Sequence, residues 1–364
     1  MRIWKLLFFC FLVLANVLNL SANTDSSLFT PSIKDSVETG KLPRDTIWPK
    51  SSSDYYYDYS NMLGLFLYAK QKYNSFTVYD PLSKTTLEYT PNKQLNMGFG
   101  FHYKWLGIGI ALNFGFVNND DDAYGKTTRL DWQSNMYMKR AVFDFYLQYY
   151  KNFYLENPQN VFSGWKGDNK PYVRPDIASA SIGLGGMYVF NYQRFSYKAA
   201  FLQTAIQKKT AGSFLLGAQV FYQELEGDSS LFPSNTDFDT LGPVISHSAL
   251  YFGLVSAYAY NIVVLKHYFI SLSLSATIQF GKTASMLETG EIYGGYMPVL
   301  HFQPRVAVGI NKVKWYAGAS FVRDSFVEIT DGNASEFNFS FRSGNFRIFL
   351  GRRFNWLSRK ELLK

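Results

Sequence analysis

The stretch NMGFGFHYKWLGIGIALNFGF, residues 96–116, alternates large apolar side chains with glycine or small polar ones. Met97, Phe99 and Phe101 share one face; Asn96, Gly98, Gly100, His102 and Lys104 share the other. Successive side chains of a β-strand point to opposite sides, so a period of two predicts strand. After Lys104 and Trp105 the parity switches. Leu106, Ile108, Ile110, Leu112, Phe114 and Phe116 are now the large residues, and Gly107, Gly109, Ala111, Asn113 and Gly115 oppose them. A two-residue hairpin loop at 104 and 105 pairs Tyr103 with Leu106 and puts both apolar rows on one side of the sheet.

The pattern recurs. TTRLDWQSNMYM (127–138) carries Leu130, Trp132, Met136 and Met138 on one face; after a two-residue turn, Ala141, Phe143, Phe145, Leu147 and Tyr149 continue at odd positions. ASASIGLGGMYVF (178–190), FSYKAAF (195–201), SFLLGAQVFY (213–222), SALYFGLVSAYAY (248–260) and YFISLSLSATIQF (268–280) extend the series. PVLHFQPRVAVGI (298–310), WYAGASF (315–321), EFNFSF (336–341) and NFRIFL (345–350) complete it. A soluble sandwich also alternates. Several of these segments, however, exceed the ~5–6 residues of soluble strands and match the ~9–11 of a tilted membrane strand. Tyr103, Trp105, Trp132, Tyr149 and Trp315 fall near strand ends and turns, as interfacial girdles require.

The fold class this predicts is all-β: a transmembrane antiparallel up-and-down β-barrel of about 12–14 strands. Large residues face lipid, and small or polar ones point inward, where curvature crowds side chains. The lipid rows are nearly free of charge; Arg323 and Arg352 are exceptions near strand ends, placed to snorkel. Fourteen segments start near residues 61, 94, 106, 127, 141, 177, 195, 212, 247, 265, 297, 314, 335 and 345. With both termini periplasmic, the tight connections at 104–105, 139–140 and 191–194 fall inside and the long ones at 117–126 and 151–176 outside. The connection at 223–246 breaks that rule. Fusing the segments at 195 and 212 into one kinked strand restores it at the cost of the parity of the ends, so twelve strands are the alternative count.

The ends of the chain differ in character. Arg2 and Lys5 precede an apolar run from Leu6 to Leu14, and NLSAN (19–23) offers Ala22 as a cleavage point, which reads as a signal peptide over 1–22. The run is too short for the ~20 residues of a spanning helix. Residues 23–57, with Pro31, Pro43 and Pro49, read as an irregular periplasmic segment; 58–356 as the barrel; 357–364 as a C-terminal tail. The sole cysteine, Cys10, lies in the leader, so the mature chain offers no disulfide and no thiolate ligand.

Composition narrows the function classes. Of 364 residues, 18% are aromatic and 47% hydrophobic, yet mean hydropathy is −0.13, because the apolar residues are dispersed rather than run together. Net charge is +8, reduced by two once Arg2 and Lys5 leave. No compact basic run or nucleic-acid motif accompanies that charge. The partners expected are outer-membrane lipids and lipopolysaccharide, the outer-membrane assembly machinery, and a small-molecule ligand of unknown identity; no nucleic acid and no cofactor are expected.

Candidate chemistry is sparse. Of His102, His247, His267 and His301, the SHS at 246–248 alone suggests a rim hydrolase, which needs a base within reach of Ser246 or Ser248 and a third group orienting it. NNDDDAYG (118–125) is acidic but lacks the spacing and distal glutamate of a calcium loop, so it reads as a solvated loop, with no metal and no catalytic residue assigned. QKKT (207–210) and GRRF (351–354) read as anchoring runs at strand ends or as sites for anionic lipid heads. The lumen-lining candidates are Arg129, Asp131, Asp144, Lys198, Arg305 and Arg347, which either line a selective pore or pair to plug it.

The runs EYTPNKQLNMGFGFHYKWLGIGIAL (88–112), RLDWQSNMYMKRAVFDFYLQYYKNFYLEN (129–157) and QKKTAGSFLLGAQVFY (207–222) together resemble a Bacteroidetes outer-membrane β-barrel family of unknown function, domain-of-unknown-function family 4421. YTPN, YKWLG, YYKNFYL and KKTAGSFLLG carry the likeness, which spans nearly the whole mature chain. It implies the barrel and transfers no catalytic residue. Unlike many barrels, the chain continues past Phe354 and Trp356 into LSRKELLK. Three functions are consistent with this reading: a pore or transporter for a small or lipidic molecule, a structural or partner-binding barrel with a plugged lumen, and a rim lipid-modifying enzyme.

Overall fold

The computed structural model describes residues 49–355 apart from 81–82, 105, 114–119, 163–164, 166–170, 234–242 and 329–337. The leader, most of the N-terminal segment, Trp105 and the 357–364 tail lie outside the described residues.

The strands are β1 (Ser51–Ser52), β2 (Tyr56–Asp58), β3 (Leu63–Asp80), β4 (Thr85–Thr90), β5 (Leu95–Tyr103) and β6 (Leu106–Asn113). A single helical turn α1 (Asp121–Tyr124) precedes β7 (Thr128–Tyr137), β8 (Ala141–Leu155) and β9 (Tyr172–Val189). After α2 (Tyr197–Phe201) come β10 (Ala205–Gln207), β11 (Ala211–Glu226), β12 (Val244–Val264) and β13 (Tyr268–Leu287). The last are β14 (Ile292–Tyr293), β15 (Tyr296–Asn311), β16 (Trp315–Glu328) and β17 (Asn338–Phe354).

β17 pairs antiparallel with β3 from Phe354↔Leu63 to Asn338↔Tyr79 and closes a ten-strand barrel, β3-β4-β8-β9-β11-β12-β13-β15-β16-β17. Closure matters physically, because hydrocarbon offers no water to satisfy a backbone edge. At the end bearing the short turns, the wall between β3 and β8 is built differently. Pro91 ends β4, having no N–H for a ladder. The chain resumes as β5 on the same edge of β3, and β6 and β7 follow between β5 and β8. Three strands replace one there, so the turn end is twelve strands around and the loop end ten.

Two of the fourteen counted segments are not separate wall strands. FSYKAAF leaves the wall and contributes α2; the described part of EFNFSF, residues 338–341, and NFRIFL belong to one strand, β17. The expected irregular lead also contains strand, since β1 and β2 pair with each other and β2 pairs with β10.

The wall changes character along its length. From the turn end to mid-wall, Leu254, Ile270, Leu272, Leu274, Ile278, Ile348 and Leu350 face outward and stay exposed, while Ser271, Ser273, Ser275 and Gln279 point inward and are buried. Towards the loop end the apolar residues turn inward. Phe76, Val78, Tyr89, Phe153, Phe221, Tyr251, Phe326, Phe339 and Phe341 form one aromatic core inside the barrel. An outward apolar row needs lipid and an inward one needs a core, so the wall spans the bilayer at its turn end and projects beyond it as a self-packed barrel.

Residues 190–210 fold into the turn end. Phe195, Tyr197, Ala200 and Phe201 pack against the inward faces of Val142, Met187, Val255, Ala257, Ala259 and Phe269. Wall side chains satisfy the segment's carbonyls: Asn311 Nδ2 donates to Ala199 and Ala205 at 3.3 and 3.0 Å, and Arg347 Nη2 to Phe201 at 3.0 Å. Buried carbonyls that the small β1-β2-β10 sheet does not pair need such donors.

Candidate functional site

Between the plug and the aromatic core lies a polar layer. Arg305, 1% exposed, bonds Asp144 and donates to Tyr137 Oη at 3.0 Å and, through Nε, to Gln303 Oε1 at 3.1 Å. Gln303 Nε2 reaches Tyr146 Oη and Asp324 Oδ1, each at 2.6 Å. His301 lies flat on Phe326, rings 4.0 Å apart, with Nε2 3.2 Å from Asp324 and Nδ1 2.7 Å from Gln219. A cavity of about 20 Å³ beside Asp144, Gln219 and His301 has room for one water. Among the described residues, core, network and plug occupy the barrel interior at three levels.

The exception is the wall at β5–β7. The hydrogen-bonded order of the sheet ends at β6, and β7 bonds to β8 only; among the described residues no ladder joins β6 to β7. On β6 both faces are exposed: Ile108, Ile110 and Leu112 outward, Gly107, Gly109 and Ala111 inward. The bare inner row has a steric reason. A Cβ on Gly100 would come within 2.5 Å of the Phe66 ring, and one on Gly109 within 3.0 Å of Tyr68 Oη, so the two rings of β3 lie against the glycines.

Behind this edge the interior is basic. Lys70 and Lys72 of β3 share the inward row with Tyr68, and Lys70 is registered directly opposite Arg347 of β17. Lys72 Nζ sits 2.8 Å from Asp131 Oδ1 of β7, whose other oxygen accepts from Tyr150. Arg129 of β7 donates to Gln94 Oε1 and Asn96 Oδ1 at 2.8 and 3.0 Å, and Asn345 of β17 to Gln133 Oε1 at 3.3 Å. Side chains thus span from β7 to β3, β5 and β17 where the backbone does not.

The sequence candidates therefore divide. Asp144 and Arg305 meet in the central network; Arg129 and Asp131 of β7 lie beside the β6–β7 edge, bonded to Asn96 and Lys72 respectively, and Arg347 bonds the Phe201 carbonyl of the plug. Lys198 does not line the wall: it sits on α2, 3.6 Å from Asp58. Lys70 and Lys72 were not among the candidates. The alternation LGLFLYAKQKY places both on the face opposite Leu65 and Leu67, which was the available signal.

The histidines are structural in their contacts. His247 bonds neither Ser246 nor Ser248. Its Nδ1 lies 2.9 Å from Ser285 Oγ and its Nε2 3.1 Å from Glu328 Oε1, with the ring stacked 3.9 Å from Phe339. A serine, base and acid are aligned, yet all three are at most 5% exposed, leaving no approach for a scissile carbonyl. His102 bonds Tyr316 Oη at 3.0 Å. In the acidic loop, Asp120 and Asp121 each accept from Asn92 Nδ2 at 3.0 Å. Among the described residues no group of three or more metal-ligating side chains is arranged around an ion. Of the basic runs, Arg352 points out over Trp315, 5.0 Å from the ring centre, and Arg353 points inward.

Among the solved structures that the chain matches are several outer-membrane proteins. The outer membrane protease OmpT from Escherichia coli is 7% identical, with 84% of this chain and 99% of that one covered and a TM-score of 0.35. The Pseudomonas putida toluene transporter TodX is 5% identical over 82% and 91%, TM-score 0.22. OprG from Pseudomonas aeruginosa is 9% identical over 80% and 96%, TM-score 0.22. Likeness at this level is one of barrel architecture and says nothing of activity. No curated protein matches the chain. The family model described as Domain of unknown function (DUF4421) matches residues 44–354, and the chain belongs to that family.

Proposed function

We propose that this member of the DUF4421 family is an outer-membrane barrel that exchanges a lipidic molecule between the bilayer and its own interior, through the β6–β7 side of the wall, and is not a water-filled pore. The turn end, which carries both ends of the barrel, is periplasmic, and the leader over 1–22 directs export. The observation that carries the reading is the pair of strand edges, on β6 and β7, that no ladder joins among the described residues, at the level of the apolar belt. Each unsatisfied backbone group in hydrocarbon costs several kcal/mol. Two free edges are stable there only where polar groups, water from the interior or the head of an amphiphile, meet them.

A filled axis argues against ion flow, and it also supports a second reading, a structural barrel with a plugged lumen. Reconstitution separates the two. The purified protein in planar bilayers is expected to pass no steady ion current, while vesicles containing it exchange a fluorescent fatty acid faster than protein-free vesicles. Ala111→Trp, which fills the inner face of β6, slows that exchange. Absence of any protein-dependent exchange would leave the structural barrel.

A further inference from the structure

We propose that Lys70 and Arg347 hold the anionic head, a carboxylate or phosphate, of an amphiphile whose chain passes out beside β6. The inference rests on the lateral reading above and deepens it.

The first observation is a like-charge pair. Arg347 and Lys70 are direct cross-strand partners in the β17–β3 ladder, and both belong to the inward row. Like charges placed opposite each other in a ladder are destabilising. The neighbouring carboxylate is already committed: Asp131 binds Lys72 at 2.8 Å and accepts from Tyr150. Arg347 spends one N–H on the Phe201 carbonyl at 3.0 Å and rests its guanidinium on Phe349 at 4.8 Å, neither of which carries negative charge. Three cations therefore share one carboxylate at membrane depth, where charge is costly. An anion between Lys70 and Arg347 turns that repulsion into two charge-assisted hydrogen bonds.

The second observation fixes the kind of anion. Lys70 is also registered opposite Asn96 of β5, so the surplus charge borders the strand pair whose inner face is bare. Phe66 and Tyr68 floor that face, and the free edge of β6 lies beyond it. A polar head beside an apolar floor and an opening at lipid level matches an amphiphile better than a free ion.

The test uses the full mature chain in neutral detergent, with oleate, oleyl alcohol and inorganic phosphate as probes and binding read by calorimetry. Wild type is expected to bind oleate at least about tenfold tighter than the alcohol, since two charge-assisted bonds are lost. Lys70→Gln reduces oleate affinity by a similar factor and Lys70→Arg restores it. Lys70→Gln also unfolds at a higher temperature than wild type without ligand, because the opposed pair is relieved; a merely structural lysine would give the reverse. Equal oleate affinity in wild type and Lys70→Gln, or phosphate binding as tight as oleate, overturns the head-group site. If oleate binds with these preferences but vesicle exchange is absent, the site stands and the transport reading falls. If exchange persists unchanged in Lys70→Gln, the reverse holds.

Discussion

Arg353, on the last wall strand, donates through Nε to the backbone carbonyl of Gln203, 3.1 Å away, and so ties the wall to the plug. The same guanidinium donates to the carbonyls of Lys312 and Val313 at 2.6 and 3.1 Å and to Asn311 Oδ1 at 2.6 Å. It lies between the rings of Tyr316 and Tyr59, at 4.9 and 5.5 Å. None of these hydrogen-bond partners is a carboxylate, so carbonyl dipoles and aromatic faces neutralise the charge.

Replacing that side chain frees the plug. Arg353→Met orphans several buried acceptors, each worth about 1–3 kcal/mol. The variant is expected to lose its compact, unheated gel mobility at a lower temperature than wild type, and to admit ion current in planar bilayers where wild type passes none. Unchanged mobility together with a silent bilayer would remove Arg353 as the clamp.

The central ion pair answers differently to single and double substitution. Asp144→Ala leaves Arg305 charged and buried, a loss of about 3–5 kcal/mol, whereas Asp144→Leu with Arg305→Met comes close to neutral. Urea unfolding in detergent micelles reads both. Equal losses in the single and double variants would mean that the pair is not the interaction being broken.

At the loop end, acid releases a paired carboxylate. Arg174 grips Asp176 through Nε and Nη2 at 2.8 and 2.7 Å and reaches the Ser230 carbonyl at 2.8 Å. Those bonds hold the Asp176 carboxyl below its ordinary value of 3.8, against the opposing effect of burial. A depressed folded value means that the ionised form stabilises the fold above the unfolded value and that the contribution disappears as pH falls through the folded one. Wild type is therefore expected to melt above Asp176→Asn at neutral pH, with the two curves converging below pH 3.8. A difference that persists at the acid end would assign the stabilisation to packing.

The apolar belt sets a depth-dependent penalty. Leu254, 68% exposed on β12, lies within the outward row, and Leu254→Arg should cost about 2–4 kcal/mol of folding stability in lipid vesicles. Lys282→Leu, at the loop-side border of the row on β13, changes it little. Equal effects at the two positions would contradict membrane immersion of that row.

Much of the wall is legible in the linear pattern of residues. The parity switch at 104–105 predicts the Tyr103↔Leu106 pair that β5 and β6 form, and the switch after Tyr137 predicts the β7–β8 hairpin. These follow from a local rule: two strands joined by a tight turn must keep one face greasy. The same rule misleads where the solvent on the two faces changes along a single strand. Phe339 and Phe341 face the aromatic core, Phe346, Ile348 and Leu350 face lipid, and the parity flips inside β17 with no turn between them. Sequence alone reads that flip as two strands.

Alternation, strand length and the near absence of charge from one row come from the linear order of residues, because each is a property of neighbours along one strand. What closes, fills and opens the barrel depends on residues far apart in sequence. FSYKAAF alternates well enough for a wall strand, yet Asn311, Arg347 and Arg353 capture its neighbourhood as a plug. Asp144 meets Arg305 only because the closed barrel sets β8 across the interior from β15, and Lys70 faces Arg347 rather than a carboxylate only because antiparallel register sets β3 alongside β17. Burial then decides which of those meetings are stable, since desolvation penalises every buried charge and only a partner offsets that cost.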